Sequence, residues 1–300
     1  MCENTRWGWF NCKNNTFNSV GNKLTIGILA EYTNDVQISN NNINVGKVVF
    51  DATDTISVLQ IQHSENVNIY SNNIITNDVR DIFRINSSKC IYIIDNIIKI
   101  DSIDVGTTIL KILNSYSYVS NYITFFRNNC IIDNPKTKQL FEIDSVDNLY
   151  IRQNAIHNII SYPFSFKNSN KVEIDDNKLY INNSYKTPFY PIFIYENCGE
   201  FIVSDNFIDL SVTALIRIEK PMTSLLLKGN YVDLLSNLFY NNTGGTMDNS
   251  VITYVQLGKK YGGLDYGGNI SALTCKIQKG HVFFNTSTKS ISIWNGSEWV

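Results

Sequence analysis

Apolar side chains recur along this chain in one phrase: apolar, any, apolar, two of any kind, asparagine, any, apolar. The matches are Val36-Ile38-Asn41-Ile43, Val67-Ile69-Asn72-Ile74, Ile91-Ile93-Asn96-Ile98, Tyr116-Tyr118-Asn121-Ile123, Leu149-Ile151-Asn154-Ile156, Val172-Ile174-Asn177-Leu179, Phe201-Val203-Asn206-Ile208 and Leu225-Leu227-Asn230-Val232. Phe10-Cys12-Asn15-Phe17 fits as a ninth. From Asn41 to Asn230 the successive asparagines stand 31, 24, 25, 33, 23, 29 and 24 residues apart, a period varied by inserted loops while the phrase keeps its length. Apolar residues two apart share one face of a strand, and the residue between them faces the other way. The asparagine marks the bend into the next strand, because its short amide tolerates the left-handed conformation and hydrogen-bonds nearby backbone. Stacked repeats would align these amides in a ladder.

A second alternating strand precedes the phrase, as in Leu59-Gln60-Ile61-Gln62, Phe83-Arg84-Ile85-Asn86, Leu110-Lys111-Ile112-Leu113, Phe141-Glu142-Ile143-Asp144, Phe164-Ser165-Phe166-Lys167 and Ile216-Arg217-Ile218-Glu219. Two such strands per repeat define a coil, and eight or nine coils predict an all-β, right-handed parallel β-helix. An antiparallel sandwich would show Asn-Gly or Asp-Gly hairpin turns between strands, and the only one, Asn295-Gly296, lies outside the repeat. Ala occupies just positions 30, 52, 155, 214 and 272, which disfavours an α-solenoid. The predicted organisation is a β-helix over 1–240, a linker over 241–250 built on Asn241-Asn242-Thr243-Gly244-Gly245-Thr246, and a small β module over 251–300 that caps or oligomerises the rod. In that module 251–257 reads as a strand, 261–268 as a Gly-rich loop, and 280–286 with 291–300 as a hairpin pair.

Charge and cysteine narrow the partners. A net charge of −2 offers no broad positive field for nucleic acid or anionic lipid, and no window approaches a membrane helix. The start, Met1-Cys2-Glu3-Asn4-Thr5-Arg6-Trp7, does not read as a signal peptide. Six scattered cysteines without a Cys-x-x-Cys pair read as buried thiols, so no metal and no cofactor is expected.

Cleavage of a polysaccharide on such a scaffold requires carboxylates gathered on one exposed face. Glu142 and Asp144 are the catalytic candidates, alternating outward on one strand with Lys111 one coil before, Lys167 one coil after and Asp147 in the adjoining turn. The plainer reading of the same residues is a charge ladder between stacked coils. Asp78-Val79-Arg80-Asp81 with Arg84 could bind a sugar acid or cation, although such a group is more often a solvated turn. Asp175-Asp176 lacks the further oxygen ligands of a calcium loop. His63, His157 and His281 fall on separate repeats or outside them, so no triad assembles. Exposed rings stack on sugars, and Tyr185, Phe189, Tyr190, Phe193 and Tyr195 cluster in a long coil stiffened by Pro188 and Pro191. Tyr190, Phe193 and Tyr195 are the glycan-binding candidates.

Gly280, Phe283-Phe284-Asn285-Thr286 and Trp294-Asn295-Gly296 with Trp299 resemble a short terminal motif of bacteriophage tail and appendage proteins. The repeats are similar to the pectate-lyase-like superfamily of β-helices, which includes phage tailspikes as well as polysaccharide lyases and hydrolases. Together these resemblances imply a tailspike-like appendage protein of the virion tail that acts extracellularly. Its implied partners are a bacterial surface polysaccharide and other virion tail proteins, in a homotrimer, with neither nucleic acid nor membrane. Two alternatives stand beside it: a polysaccharide depolymerase, lyase or hydrolase, on the same β-helix, and a bacterial surface adhesin. The chain opens inside a coil, so a longer parent protein is also an expectation.

Overall fold

The computed structural model describes residues 9–19, 26–46, 57–77, 79–101, 107–113, 120–133, 139–159, 163–181, 190–194, 196, 198–212, 215–220, 222–228, 230–234, 239–241, 251–252, 276–277, 282–285, 290–293, 295, 297–298 and 300. Among them the chain winds as a right-handed parallel β-helix of three nine-stranded sheets. Sheet I carries the strands that lead into the asparagine, such as Glu65–Tyr70 and Lys89–Ile94. Sheet II carries those that leave it, such as Asn73–Asn77 and Ile97–Asp101. Sheet III carries the strands expected before the phrase, such as Asp81–Asn86 and Phe141–Asp144. Each coil therefore has three strands, not two, because the residues after the asparagine form a full strand of their own. Nine coils at about 4.8 Å each give a rod on the order of 40 Å long.

Strict register stacks like on like. Val36, Val67, Ile91, Ile123, Leu149, Val172, Phe201 and Leu225 follow one another up sheet I, all buried. Phe83, Phe125, Phe141 and Phe164 form a chain of rings inside the rod with centroid separations of 6.3, 5.2 and 4.8 Å. Edge and tilted contacts of this kind add to the gain from burying each ring.

The corner between sheets I and II explains the asparagine. Before it, backbone N–H groups point to the following coil: Asn40 donates to the Tyr70 carbonyl, and Ser71 to that of Ile94. After it they point to the preceding coil: Asn73 donates to the Asn41 carbonyl, and Ile97 to that of Asn72. The asparagine N–H lies at the reversal and is met by a side chain. Asn72 donates its N–H and its Nδ2 to Oδ1 of Asn96, each at 3.0 Å, and its Nδ2 also reaches the Ile38 carbonyl of the coil before. The same pattern runs from Asn41 through Asn72, Asn96, Asn128, Asn154, Asn177 and Asn206 to Asn230, all buried.

Two expectations are corrected at this corner. The left-handed residue is the one before the asparagine, as at Asn40, Ser71, Asp95, Arg127, Gln153, Asp176 and Asp205, with φ between 49° and 55°. The asparagine itself provides the hydrogen bonds. In the coil read as Tyr116-Tyr118-Asn121-Ile123, the ladder residue is Asn128, and the phrase is Ile123-Phe125-Asn128-Cys130. Asn121 instead opens a strand and accepts from Asn148 Nδ2 at 2.9 Å, while Tyr116 and Tyr118 lie outside the described residues.

The corner between sheets III and I solves the same problem with hydroxyls. Thr33, Ser64 and Ser88 donate their N–H groups to the Oγ of Ser64, Ser88 and Ser120 in turn, at 3.2 Å each. Val146 interrupts this second ladder, pairing with Ser120 through the backbone. Cys198 ends it, a buried thiol donating to the Glu196 carbonyl. Burial pushes the Cys198 thiol up to about 12 and raises that of Cys130 as well.

Beyond the coils, Val251–Ile252 pairs parallel with Lys276–Ile277, and Val282–Asn285 forms an antiparallel hairpin with Ser290–Ile293. Asn295 Oδ1 accepts from the Ser297 and Glu298 N–H groups, both at 2.9 Å. The Gly-rich stretch 261–268 lies outside the described residues.

Asn128→Ala removes an amide that bonds to Ile93, Phe126 and Asn154 and receives two bonds from Asn96. Its expected cost is about 3 kcal/mol in urea denaturation, against less than about 1 kcal/mol for Asn121→Ala. Equal losses would contradict the corrected register.

Candidate functional site

The outer face of sheet III gathers the polar side chains with the least ordinary surroundings. Its strands begin with a shared bulge. The N–H groups of Leu140 and Phe141 both donate to the Pro163 carbonyl, and those of Ile109 and Leu110 both donate to the Leu140 carbonyl. Two successive residues are consequently buried in the core, as in Val58-Leu59 and Ile82-Phe83. The flanking polar positions, three apart, then share the outer side, which is how Asp81 Oδ2 comes within 3.2 Å of Arg84 Nη1.

Register builds two columns from these positions. One runs Ser57, Asp81, Thr108. The other runs Gln60, Arg84, Lys111, Glu142, Ser165. Lys111 Nζ lies 2.7 Å from Glu142 Oε2. Asp81 is only 1% exposed, and burial raises its carboxyl above the usual range despite the opposing pull of Lys111 and Arg84. Gln60 is 7% exposed, and neither its Oε1 nor the Ser57 Oγ has a hydrogen-bond partner among the described residues. A buried unpaired acceptor costs about 1–3 kcal/mol.

The structure places Glu142 and Asp144 outward on the strand Phe141–Asp144, as the alternation predicts, but in different company. Glu142 belongs to the columns above. Asp144 is held toward the hydroxyl corner, accepting from Ser145 Oγ at 2.8 Å and Asn168 Nδ2 at 3.3 Å. Lys167 pairs with Glu196 at 3.2 Å. Of the Asp78–Arg84 group, Asp78 lies outside the described residues, Val79 is in the core, and Asp81 is buried. That placement differs from a solvated turn. Asp175 accepts from Ser204 Oγ at 2.6 Å. His63 stacks on Tyr32 and His157 on Tyr180, while His281 lies outside the described residues. Among the described residues no three His, Cys, Asp or Glu side chains converge as a metal site requires.

The glycan-binding candidates are distributed differently from the expected exposed cluster. Tyr190 is 6% exposed, with the Arg217 guanidinium 5.5 Å from its ring centre, so it offers little face to a sugar. Phe193 sits in the strand Ile192–Ile194, between Ser165 and Arg217 in register. Tyr195, Tyr185 and Phe189 lie outside the described residues, as does the Phe193 side chain. More accessible rings occur elsewhere. Tyr122 and Tyr150 meet at 5.8 Å on sheet I, with Arg152 over Tyr150 at 4.8 Å. On sheet II, Phe207 stacks on Tyr231 at 5.2 Å. The signal for such residues was present in the phrase, whose intervening, outward position holds Tyr92 and Tyr150.

The chain matches no family model, and comparison with curated proteins and with solved structures likewise yields no match.

Because the folded Asp81 binds its proton more tightly than the unfolded chain does, its contribution to stability is present at low pH. It is lost as pH rises from the ordinary carboxyl value through the raised one. Denaturation of the wild type and Asp81→Asn across that range should show the wild type losing ground to the variant as pH increases. A constant difference would contradict the burial argument.

Proposed function

We propose that this chain is a tailspike-like appendage protein of a virion tail, a rigid rod that binds a polysaccharide of the host surface. The observation that carries the reading is the outer face of sheet III, where the Arg84–Asp81 pair within one strand and the Lys111–Glu142 pair between coils stand in register. Charged side chains held in register suit a hydroxyl-rich ligand, because a sugar hydroxyl both donates and accepts. A parallel coil stack supports such a face well, since every outer side chain is fixed in register with its neighbours. The Phe283-Phe284-Asn285-Thr286 and Asn295 region, similar to a terminal motif of phage appendages, supports the virion assignment. The same similarity supports a homotrimer joined to other tail proteins.

Light scattering on the purified protein and its binding to intact host cells test this reading together. A trimer that binds cells, and loses that binding once surface polysaccharide is stripped away, is expected. A monomer that binds neither cells nor tail components would overturn it.

A depolymerase on the same face is the second reading, and one observation favours it. Two carboxyls share this face near Lys111: Asp81, raised by burial, and Glu142, whose Oε2 lies 2.7 Å from the Lys111 ammonium. Incubation with capsular glycans should then release oligosaccharide, and Glu142→Gln should lower that release at least about a hundredfold. Cleavage unchanged in the variant would remove Glu142 from the chemistry.

A further inference from the structure

We propose that Tyr122 and Tyr150 on the outer face of sheet I, with the adjoining amides of Asn121 and Asn148, form a stacking platform for a pyranose ring of the polysaccharide. This rests on the glycan-binding reading and adds a contact separate from the face of sheet III. Tyr122 is 49% exposed and meets the Tyr150 ring at 5.8 Å with 48° between their planes, so its neighbour supports an edge and its face stays open to solvent. Tyr32, exposed to a similar degree, instead lies flat against His63 at 14°. A pyranose carries an apolar C–H face and a rim of hydroxyls, which suits a ring bordered by hydrogen-bonding groups.

The backbone gives an independent reason. Register places Asp35, Asn66, Cys90 and Tyr122 in one column, and all four are left-handed, with φ of 57°, 54°, 52° and 58°. Asp and Asn adopt that conformation readily, whereas a bulky side chain is strained there. The coil needs a left-handed residue at this position but not a tyrosine, and strain held at an exposed ring points to use of the ring. Its surroundings supply the polar rim. Asn148 Nδ2 donates to Asn121 Oδ1 at 2.9 Å, and the Asn121 Nδ2 and Asn148 Oδ1 have no other partner among the described residues, so one donor and one acceptor remain for a hydroxyl. Burial, with Tyr122 beside it, raises the Tyr150 phenol, which keeps its proton and can donate at neutral pH. The Arg152 guanidinium over the Tyr150 ring at 4.8 Å is paired with Glu173 at 2.6 Å, so a ligand meets ring and hydroxyl rather than net charge.

Binding of the full chain to immobilised dextran, mannan and galactan tests the platform through Tyr122→Asn and Tyr122→Phe. The first removes the ring and installs the residue that the same column holds at position 66, and the second keeps the ring. Tyr122→Asn should weaken binding roughly tenfold while its thermal midpoint stays level or rises, since asparagine relieves the left-handed strain. Tyr122→Phe should bind within about threefold of the wild type. Light scattering should give both variants the oligomeric state of the wild type. Binding that Tyr122→Asn leaves unchanged would overturn the platform and leave the glycan-binding reading standing. So would a changed oligomeric state in that variant, which would assign the ring to a contact between copies of the chain. Binding of none of the three polysaccharides would overturn both.

Discussion

The reversal of hydrogen-bond direction at each corner is the constraint on which the rod depends. N–H groups of a parallel strand point alternately to the coil before and the coil after, and each corner breaks that alternation, so one N–H per corner meets no backbone acceptor. A side chain must supply it from the adjoining coil. Asparagine does so and returns a second bond, since Nδ2 of each ladder residue reaches a carbonyl of the coil before, as Asn154 reaches Phe125 and Asn177 reaches Ile151. Serine can fill only part of that role, which suits the opposite corner, where Ser64 and Ser88 close on the carbonyls of Gln62 and Asn86. The left-handed residues before each ladder position cost about 1 kcal/mol apiece, and the bonds they permit offset it.

Once the corners are fixed, everything else follows in register. Apolar residues stack within, and outer residues form columns whose members belong to different coils. Complementary charges meet in those columns because stacking leaves them no other neighbour: Arg127 with Asp95 at 2.8 Å, Lys99 with Asp133 at 3.1 Å. Exposed pairs of this kind contribute little, on the order of a few tenths of a kcal/mol. The outer face of sheet III differs. Its bulge draws Asp81 and Gln60 into enclosure, where a polar group without a partner is costly.

Much of this was legible in the sequence, and the failures are instructive. The apolar-x-apolar spacing identified the strands before the asparagine. It did not reveal the strand after it, because Asn42–Val45 or Lys178–Ile181 is too short to show alternation alone. Asn121 was mistaken for Asn128 because Tyr116 and Tyr118 imitate the apolar pair. A residue three positions before the first apolar one settles that ambiguity, being Thr33, Ser64, Ser88, Ser120, Ser169 or Cys198 wherever the hydroxyl corner recurs. Glu142 and Asp144 were placed on an outward face, but the successive apolar pairs that mark the bulge, such as Val58-Leu59 and Ile82-Phe83, do not say that it encloses Asp81. Tyr190 failed as an exposed platform for the same reason, since the pattern places it on a face without saying what covers it.

The central claim is that eight buried asparagine amides, from Asn41 to Asn230, hold the coils together. Side-chain amide hydrogen exchange, followed by NMR on the asparagine-labelled protein, tests it most directly. Eight strongly protected NH2 groups, with Asn128 among them and Asn121 exchanging fast, are predicted. Rapid exchange at the ladder positions, or protection of Asn121 in place of Asn128, would contradict the account.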